Sequence, residues 1–78
     1  VLVAGFTVYP NPTDGPLRME LPPQFGLQEV RVFNVLGRIV LRQSGSGTNL
    51  DLAGLAPGVY TVQAQGTSGV LTKLVIVR

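Results

Sequence analysis

The sequence contains no cysteine and no histidine, and these absences exclude whole classes of function. Without cysteine, the chain can form neither a disulfide framework nor a thiolate metal site. Without histidine, it lacks the side chain that most often serves as a general base near neutral pH. Ser44, Ser46 and Ser68 therefore have no partner for a catalytic triad. We predict that the domain is not an enzyme and has no catalytic residues, metal site or cofactor.

Charged residues are also few. They make up 13% of the chain, about half of the usual ~25%. The net charge of +2 comes from six cations that are spread along the sequence and form no basic stripe for a phosphate backbone. Three phenylalanines and two tyrosines are too few for a base-stacking platform. We therefore predict no nucleic-acid partner.

The acidic side chains do not indicate an active site or a metal site. The carboxylates are scattered, and strand alternation places Glu20 and Asp51 at outward positions. A catalytic pair would require two carboxylates within about 5–10 Å of each other. Asp14 is the one carboxylate of the polar segment Asn11–Asp14, which makes a poor calcium site. We interpret that segment as a structural turn.

Long apolar runs are missing too. The longest, Val1–Ala4 and Leu74–Val77, fall far short of the ~20 residues that a membrane span requires, so we predict no membrane insertion. The sequence begins at Val1 without a methionine or a signal peptide, and nothing follows Arg78. We interpret it as a piece of a longer protein that ends at a natural terminus.

The dominant pattern is a period-2 alternation of apolar and polar residues, seen in Leu17–Leu21 and in Tyr60–Gln65. It predicts about seven short strands, near residues 5–9, 17–21, 28–35, 38–43, 48–52, 58–65 and 69–77. In 78 residues this indicates one domain with an all-β fold, a small antiparallel two-sheet sandwich that is Ig-like in outline. The last strand is apolar on both faces, so we expect it in the centre of its sheet.

Glycine and proline mark the predicted turns. Asn34–Gly37 fits a type I turn that is closed by a left-handed glycine. The segments Ser44–Gly47 and Gly66–Gly69 are typical of hairpin loops. Pro57-Gly58 fits the two central positions of a type II turn.

The most distinctive segment is Tyr9-Pro10-Asn11-Pro12-Thr13-Asp14-Gly15, called the proline turn below. Its two prolines fix their own φ angles, and Pro12 keeps Asn11 out of the α region. Asp14-Gly15 supplies a turn with a residue that is free to take positive φ. We predict that the segment leaves one strand, bends rigidly and delivers the chain to the next.

Two aromatic residues, Tyr60 and Phe33, can each be interpreted as functional or as structural. Tyr60 begins a strand after a turn, so we expect its ring to pack inward and its hydroxyl to reach nearby backbone, as in a tyrosine corner. Phe33 lies on the strand face opposite Val30 and Val32. It is either covered by the second sheet or part of an exposed apolar patch.

The last strand is the segment for which we favour a functional interpretation. Lys73 interrupts an otherwise apolar strand that contains Val75 and Val77 and ends at Arg78. One interpretation is an inner strand with a snorkelling lysine and a solvated end. The other, which we favour, is pairing of its main chain with the sheet edge of a partner.

The proline turn is followed at set intervals by three further blocks, Val30–Arg38, Leu50–Tyr60 and Lys73–Arg78. In this order the blocks resemble the type A C-terminal sorting domain of the type IX secretion system of Bacteroidota-type bacteria, from about Phe6 to Arg78. Asn34 and Arg38 depart from the more usual aspartate and lysine. The predicted recognition motif comprises Tyr9, Pro10, Asn11, Pro12, Gly15, Gly37, Pro57, Gly58, Tyr60, Lys73, Val75, Val77 and Arg78.

The resemblance implies the same sandwich fold and a role as a C-terminal secretion signal domain over residues 6–78. Residues 1–5 would be part of a linker to an N-terminal cargo domain, and the cleavage site would lie before Phe6, either in residues 1–5 or in the linker that precedes them. The type IX translocon would recognise the signal during export across the outer membrane, and a sortase-like cysteine protease would then usually remove it. The cargo would pass through the periplasm and be released or anchored at the cell surface.

A different class of function remains open beside this one. The domain could be an accessory β-sandwich module that binds polysaccharide or protein, or a structural spacer in a secreted protein. A glycan-binding module would require a flat row of exposed aromatic side chains or a polar cleft with aromatic walls. With Tyr60 and Phe6 expected in the core, the five aromatic residues leave few for such a row.

Overall fold

The computed structural model of the protein describes residues 6–78. In this range the chain forms seven strands and no helix: β1 Thr7–Tyr9, β2 Pro16–Glu20, β3 Leu27–Phe33, β4 Ile39–Ser44, β5 Asn49–Asp51, β6 Gly58–Gly66 and β7 Gly69–Val77. The small sheet has the order β1-β2-β5 and the large sheet the order β4-β3-β6-β7, with antiparallel pairing throughout. The predicted all-β, two-sheet, seven-strand architecture is confirmed.

The core lies between the two sheets and is built by the alternation seen in the sequence. Leu17 and Met19 of β2 face Val30 and Val32 of β3, and all four side chains are at most 2% exposed. Most of their outward neighbours are charged, namely Arg18, Glu20, Glu29 and Arg31, because one face of each strand meets the second sheet and the other meets water. Phe6 is also buried, as predicted. Burial of each such side chain stabilises the fold by about 1.5–3 kcal/mol.

The predicted turn between β3 and β4 is present. The amide of Gly37 donates a hydrogen bond to the carbonyl oxygen of Asn34 at 3.0 Å, and Gly37 has φ +82°. The Oδ1 atom of Asn34 accepts hydrogen bonds from the amides of Leu36 at 2.9 Å and Arg38 at 3.1 Å. An aspartate could accept the same bonds, so the asparagine at this position preserves the turn.

Two of the predicted connections are wrong. Gly66 pairs with Gly69, so that hairpin exists, but Ser44–Gly47 leads from β4 in the large sheet to β5 in the small one and is a crossover. Gly58 has φ +157°, far from the roughly +80° of a type II turn. It is nearly extended because it already belongs to β6, where it pairs with Val77.

The expectation that the last strand is central is also wrong. β7 pairs with β6 alone among the named strands and forms an edge of the large sheet. Its inward face supplies Val75 and Val77 to the core, whereas Leu74 and Ile76 on the outward face are 62% and 46% exposed. The strand is apolar on both faces although no other layer of the described chain covers the outer one.

Within the described residues, no helix is long and apolar enough to cross a membrane.

Candidate recognition site

The proline turn lies against the free edge of β7. The Nδ2 atom of Asn11 donates a hydrogen bond to the carbonyl oxygen of Leu74, and the amide of Ile76 donates one to Oδ1 of Asn11, both at 3.0 Å. A carboxamide offers one acceptor and a donor in nearly the geometry of a peptide group. The side chain of Asn11 therefore takes the place of a neighbouring strand along this part of the edge.

Thr13 continues the same contact with its backbone. Its amide donates to the carbonyl oxygen of Ile76, and its carbonyl oxygen accepts from the amide of Arg78, both at 2.9 Å. These bonds make a parallel bridge between Thr13 and Val77. We call residues 11–13 the edge strap, because they cover β7 from the Leu74 carbonyl to the Arg78 amide.

The side chain of Thr13 holds the strap inside the fold. Thr13 is completely buried, and its hydroxyl donates a hydrogen bond to the carbonyl oxygen of Pro16. The same hydroxyl oxygen accepts a hydrogen bond from the amide of Gly15 at 3.0 Å. The buried hydroxyl is thus satisfied as donor and acceptor, which a buried polar group requires.

An ion pair joins the two segments at the surface. The Nε atom of Arg78 lies 3.2 Å from Oδ1 of Asp14, and both side chains are more than half exposed. Exposed pairs of this kind contribute at most about 1 kcal/mol. The pair orients the guanidinium of Arg78, and the hydrogen bonds of the strap provide the main attachment.

The remaining residues of the proline turn connect it to the small sheet. The Tyr9–Pro10 and Asn11–Pro12 peptide bonds are both cis, and the hydroxyl of Tyr9 donates to Glu20 at 3.1 Å. The carbonyl oxygen of Gly15 accepts a hydrogen bond from the amide of Leu52 at 2.8 Å. A Cβ atom on Gly15 would lie 2.9 Å from that of Ala53, so this close approach favours glycine.

The third block is also structural, as predicted for Tyr60. Its ring is 8% exposed, and its hydroxyl donates to the carbonyl oxygen of Ala56 at 2.6 Å. Gly58 pairs with Val77 and Tyr60 pairs with Val75, which places this block beside the end of β7. Pro57 lies exposed in the loop that precedes β6.

The structure brings most of the predicted motif to one end of the sandwich. The loops at residues 10–15, 34–38 and 52–57 all lie at that end, because β1, β3 and β5 end on that side, and β7 ends beside them. Val75 and Val77 are buried and belong to the core. Lys73 is the outlying member, exposed and in register with Val62 on β6.

A shallow, open depression with both apolar and polar lining residues lies on the outer face of the large sheet at the same end, and Asn34, Thr61 and Gln63 are its polar members. It has a volume of about 520 Å³, and Phe33, Val59 and Leu74 contribute its apolar lining together with Val35 of the turn. Phe33 is half-buried here. Of the two interpretations of Phe33, the exposed apolar patch is therefore the right one.

Besides the Arg78–Asp14 pair, the described part of the chain holds one local group of charges, formed by Glu29 and two arginines. Glu29 lies 3.1 Å from Nε of Arg31 and 2.9 Å from Nε of Arg42. The hydrogen bond from Arg31 lowers the pKa of Glu29, partial desolvation opposes this shift, and the positive charges of both arginines add to it. Residues 6–78 contain no group of three or more acidic side chains that could hold a metal ion.

Sequence reasoning missed two contributors to this site. Thr13 and Asp14 were read only as parts of a turn, yet Thr13 is the residue whose backbone bridges to Val77, and Asp14 pairs with Arg78. A threonine between two turn-forming residues is a usable signal, because short polar side chains often bond to nearby backbone. The contact between the proline turn and β7, by contrast, cannot be recognised from the residues next to Thr13 in the sequence.

Comparison with known proteins identifies the family of this chain. The family model described as the secretion system C-terminal sorting domain matches residues 7–78, nearly the whole chain. The chain belongs to this family, whose members are C-terminal sorting signals of the type IX secretion system and are exported to the cell surface or the extracellular space. A comparison with curated proteins found no match.

Proposed function

We propose that this domain is the signal by which the type IX translocon recognises a cargo protein for export across the outer membrane. The cargo is joined to its N-terminal side and passes through the periplasm. A sortase-like cysteine protease then removes the domain, and the cargo is released or anchored at the cell surface. The domain provides a folded surface to which other proteins bind, and it catalyses no reaction itself.

The observation that carries this proposal is the attachment of the proline turn to β7. The Asn11 side chain and the Thr13 backbone hold the end of β7 through four hydrogen bonds, those of Asn11 with Leu74 and Ile76 and those of Thr13 with Ile76 and Arg78. Motif blocks from opposite ends of the chain therefore form a single surface. A folded signal needs such a rigid surface, since its receptor must bind the same shape on different cargoes.

The motif residues divide into two groups by burial. Tyr60, Val75 and Val77 are buried and support the surface from inside. Lys73 and Arg78 are exposed, so a receptor can contact them. We propose that the exposed group carries recognition and that the buried group acts through the shape of the domain.

The experiment is a fusion of this chain to a periplasmic reporter in a host that has the type IX system. We expect the intact chain to carry the reporter to the cell surface. Removal of Lys73–Arg78 should leave it in the periplasm. Export that survives this truncation would exclude β7 from the mechanism.

The truncation needs a control, because it also removes the buried side chains of Val75 and Val77. Lys73→Ala and Arg78→Ala change exposed residues and should leave the fold intact. If the truncated chain is retained and both point variants are exported normally, loss of folding explains the retention. Reduced export of the point variants, with native unfolding curves, supports direct recognition.

The cleavage prediction falls on residues 1–5, which lie outside the described residues. Mass spectrometry of the secreted cargo tests it. We expect a mature protein that lacks residues 6–78. A mature secreted protein that still carries residues 9–78 would contradict removal by the protease.

The alternative of a glycan-binding module finds no support in the aromatic residues, all of which the structure describes. Phe6, Phe25 and Tyr60 are buried. Tyr9 and Phe33 are more accessible but lie in different sheets, so they cannot form one row. Glycan-binding assays on the isolated chain remain the direct check, and we expect them to be negative.

A further inference from the structure

The edge strap covers only part of the β7 edge. In an antiparallel ladder, residues that bond to the neighbouring strand alternate with residues whose N–H and C=O groups point away from it. Leu74 and Ile76 point away from β6, because their backbone groups bond to the strap. Val70 and Thr72 share this orientation by alternation. Within residues 6–78, Val70, Thr72 and the amide of Leu74 make no backbone hydrogen bond outside the pairing between strands.

The side chains along this open edge, residues 70–74, have a distinct character on each face. Val70 and Leu74 are 52% and 62% exposed on the outer face. Lys73 projects from the opposite face, beside Leu71 and Val75, and is exposed. Within the described chain, no carboxylate oxygen lies within 4.0 Å of its ammonium group. The edge therefore presents apolar groups on one side and an uncompensated positive charge on the other.

A second copy of the chain fits this edge poorly. Two open edges joined antiparallel would place both Lys73 ammonium groups on the same face of the combined sheet. Lysine on an edge strand is a common device against such self-association. An acidic segment from another protein would instead be attracted to Lys73.

We propose that the open edge binds an extended segment of a partner protein, with an acidic side chain facing Lys73 and apolar side chains facing Val70 and Leu74. The inference rests on the proposed function, in which another protein recognises β7. Main-chain hydrogen bonds to Val70, Thr72 and Leu74 provide the attachment, and the alternating side chains select the partner. The bound segment cannot extend past the Leu74 carbonyl oxygen, because the edge strap already occupies the β7 edge from that atom onward.

Three blocked synthetic peptides test the proposal on the 78-residue chain. The first is Thr-Leu-Glu-Leu-Glu-Leu-Thr, the second has lysine in place of both glutamates, and the third is the first peptide with alternate amides N-methylated. NMR titration measures affinity, and hydrogen exchange measures protection of the Thr72 and Leu74 amides. We expect protection of both amides and about two- to fivefold tighter binding of the glutamate peptide than of the lysine peptide. N-methylation should abolish binding.

Variants of the chain make the test specific. Lys73→Glu should reverse the peptide preference and, being at an exposed position, should keep the fold. Thr72→Pro removes an amide that does not bond to β6 and should block all peptides, because proline is tolerated at sheet edges. Equal affinity for both charged peptides, binding of the N-methylated peptide, or shifts centred on Phe33 and Val59 would overturn the proposal.

Two further measurements separate this inference from the proposed function. Sedimentation that shows a dimer broken by Thr72→Pro would assign the edge to a second copy and overturn the inference. Normal export of the Lys73→Glu reporter would overturn the inference and the role of Lys73 in recognition, but the intact chain would still act as an export signal. Failure of the intact chain to export the reporter would overturn the proposed function, whatever the peptides do.

Discussion

The amide of Ile76 donates a hydrogen bond to Oδ1 of Asn11 at 3.0 Å, across 65 positions of the sequence. Through this bond the side chain of Asn11, which lies between two prolines, takes the place of a neighbouring strand at the end of β7. It also gives the proline turn a role that its local sequence does not reveal.

Asn11→Ala should destabilise the domain by about 1–3 kcal/mol, because two hydrogen bonds to the edge of β7 are lost. Urea unfolding measures the change, and faster hydrogen exchange of the Ile76 amide should locate it. Asn49→Ala is the matched control, since Asn49 is exposed and its side chain makes no hydrogen bond within residues 6–78. Equal stability of the two variants would show that the strap contributes little.

Tyr60→Phe should destabilise the domain by about 1–3 kcal/mol, because it leaves the Ala56 carbonyl oxygen without its partner in a partly buried position. Tyr9→Phe removes a hydroxyl that bonds to Glu20 at the surface and should change stability by less than about 0.5 kcal/mol. Thermal unfolding of both variants checks the difference. A neutral Tyr60→Phe would contradict the structural role assigned to the tyrosine.

Gly15→Ala should destabilise the domain by about 1–3 kcal/mol, because the added methyl group would meet Ala53 at 2.9 Å. Gly54→Ala is the control, since a Cβ atom there meets nothing within 4 Å and its φ is not positive. Urea unfolding of the pair isolates the effect of the close approach. Similar stabilities would mean that the 52–57 loop can move away from the proline turn.

The pKa of Glu29 predicts a loss of stability in acid. Arg31 and Arg42 lower this pKa in the folded state, whereas in the unfolded chain it should be about 4.3. The contribution of the pair to stability is therefore complete above the unfolded value and disappears as the pH falls through the folded one. NMR titration of the Glu29 carboxyl group and urea unfolding between pH 2 and pH 7 should show both effects. Glu29→Gln should remove this part of the pH dependence, and a folded pKa at or above 4.3 would refute the prediction.

The sequence predicted the architecture because alternation is a local pattern. Leu17 and Met19 show it clearly, as do Val62 and Ala64, and all four are in the core. Local turn chemistry likewise identified the Asn34–Gly37 hairpin and the inward packing of Tyr60. The Ser44–Gly47 crossover was mistaken for a hairpin, because a glycine-rich loop looks the same in both connections.

The position of β7 could not be predicted in the same way. An apolar outer face normally indicates a central strand, yet Leu74 and Ile76 are exposed and only the inner side of β7 is in the core. The partner of the strand edge is the side chain of Asn11, and no periodicity encodes a contact over such a distance. The recognition motif was therefore predicted as separate blocks, and their convergence emerged only in three dimensions.

The placement of β7 imposes an order of events on synthesis. A ribosome adds Leu74 and Ile76 to the chain 63 and 65 positions after Asn11, so the two hydrogen bonds of Asn11 can form only after nearly all of this domain has been synthesised. Closing so long a segment is entropically more costly than closing the β3–β4 hairpin. The sandwich can therefore be completed only after residue 78 has been translated. A prematurely terminated polypeptide would lack the surface that the proline turn and β7 form together.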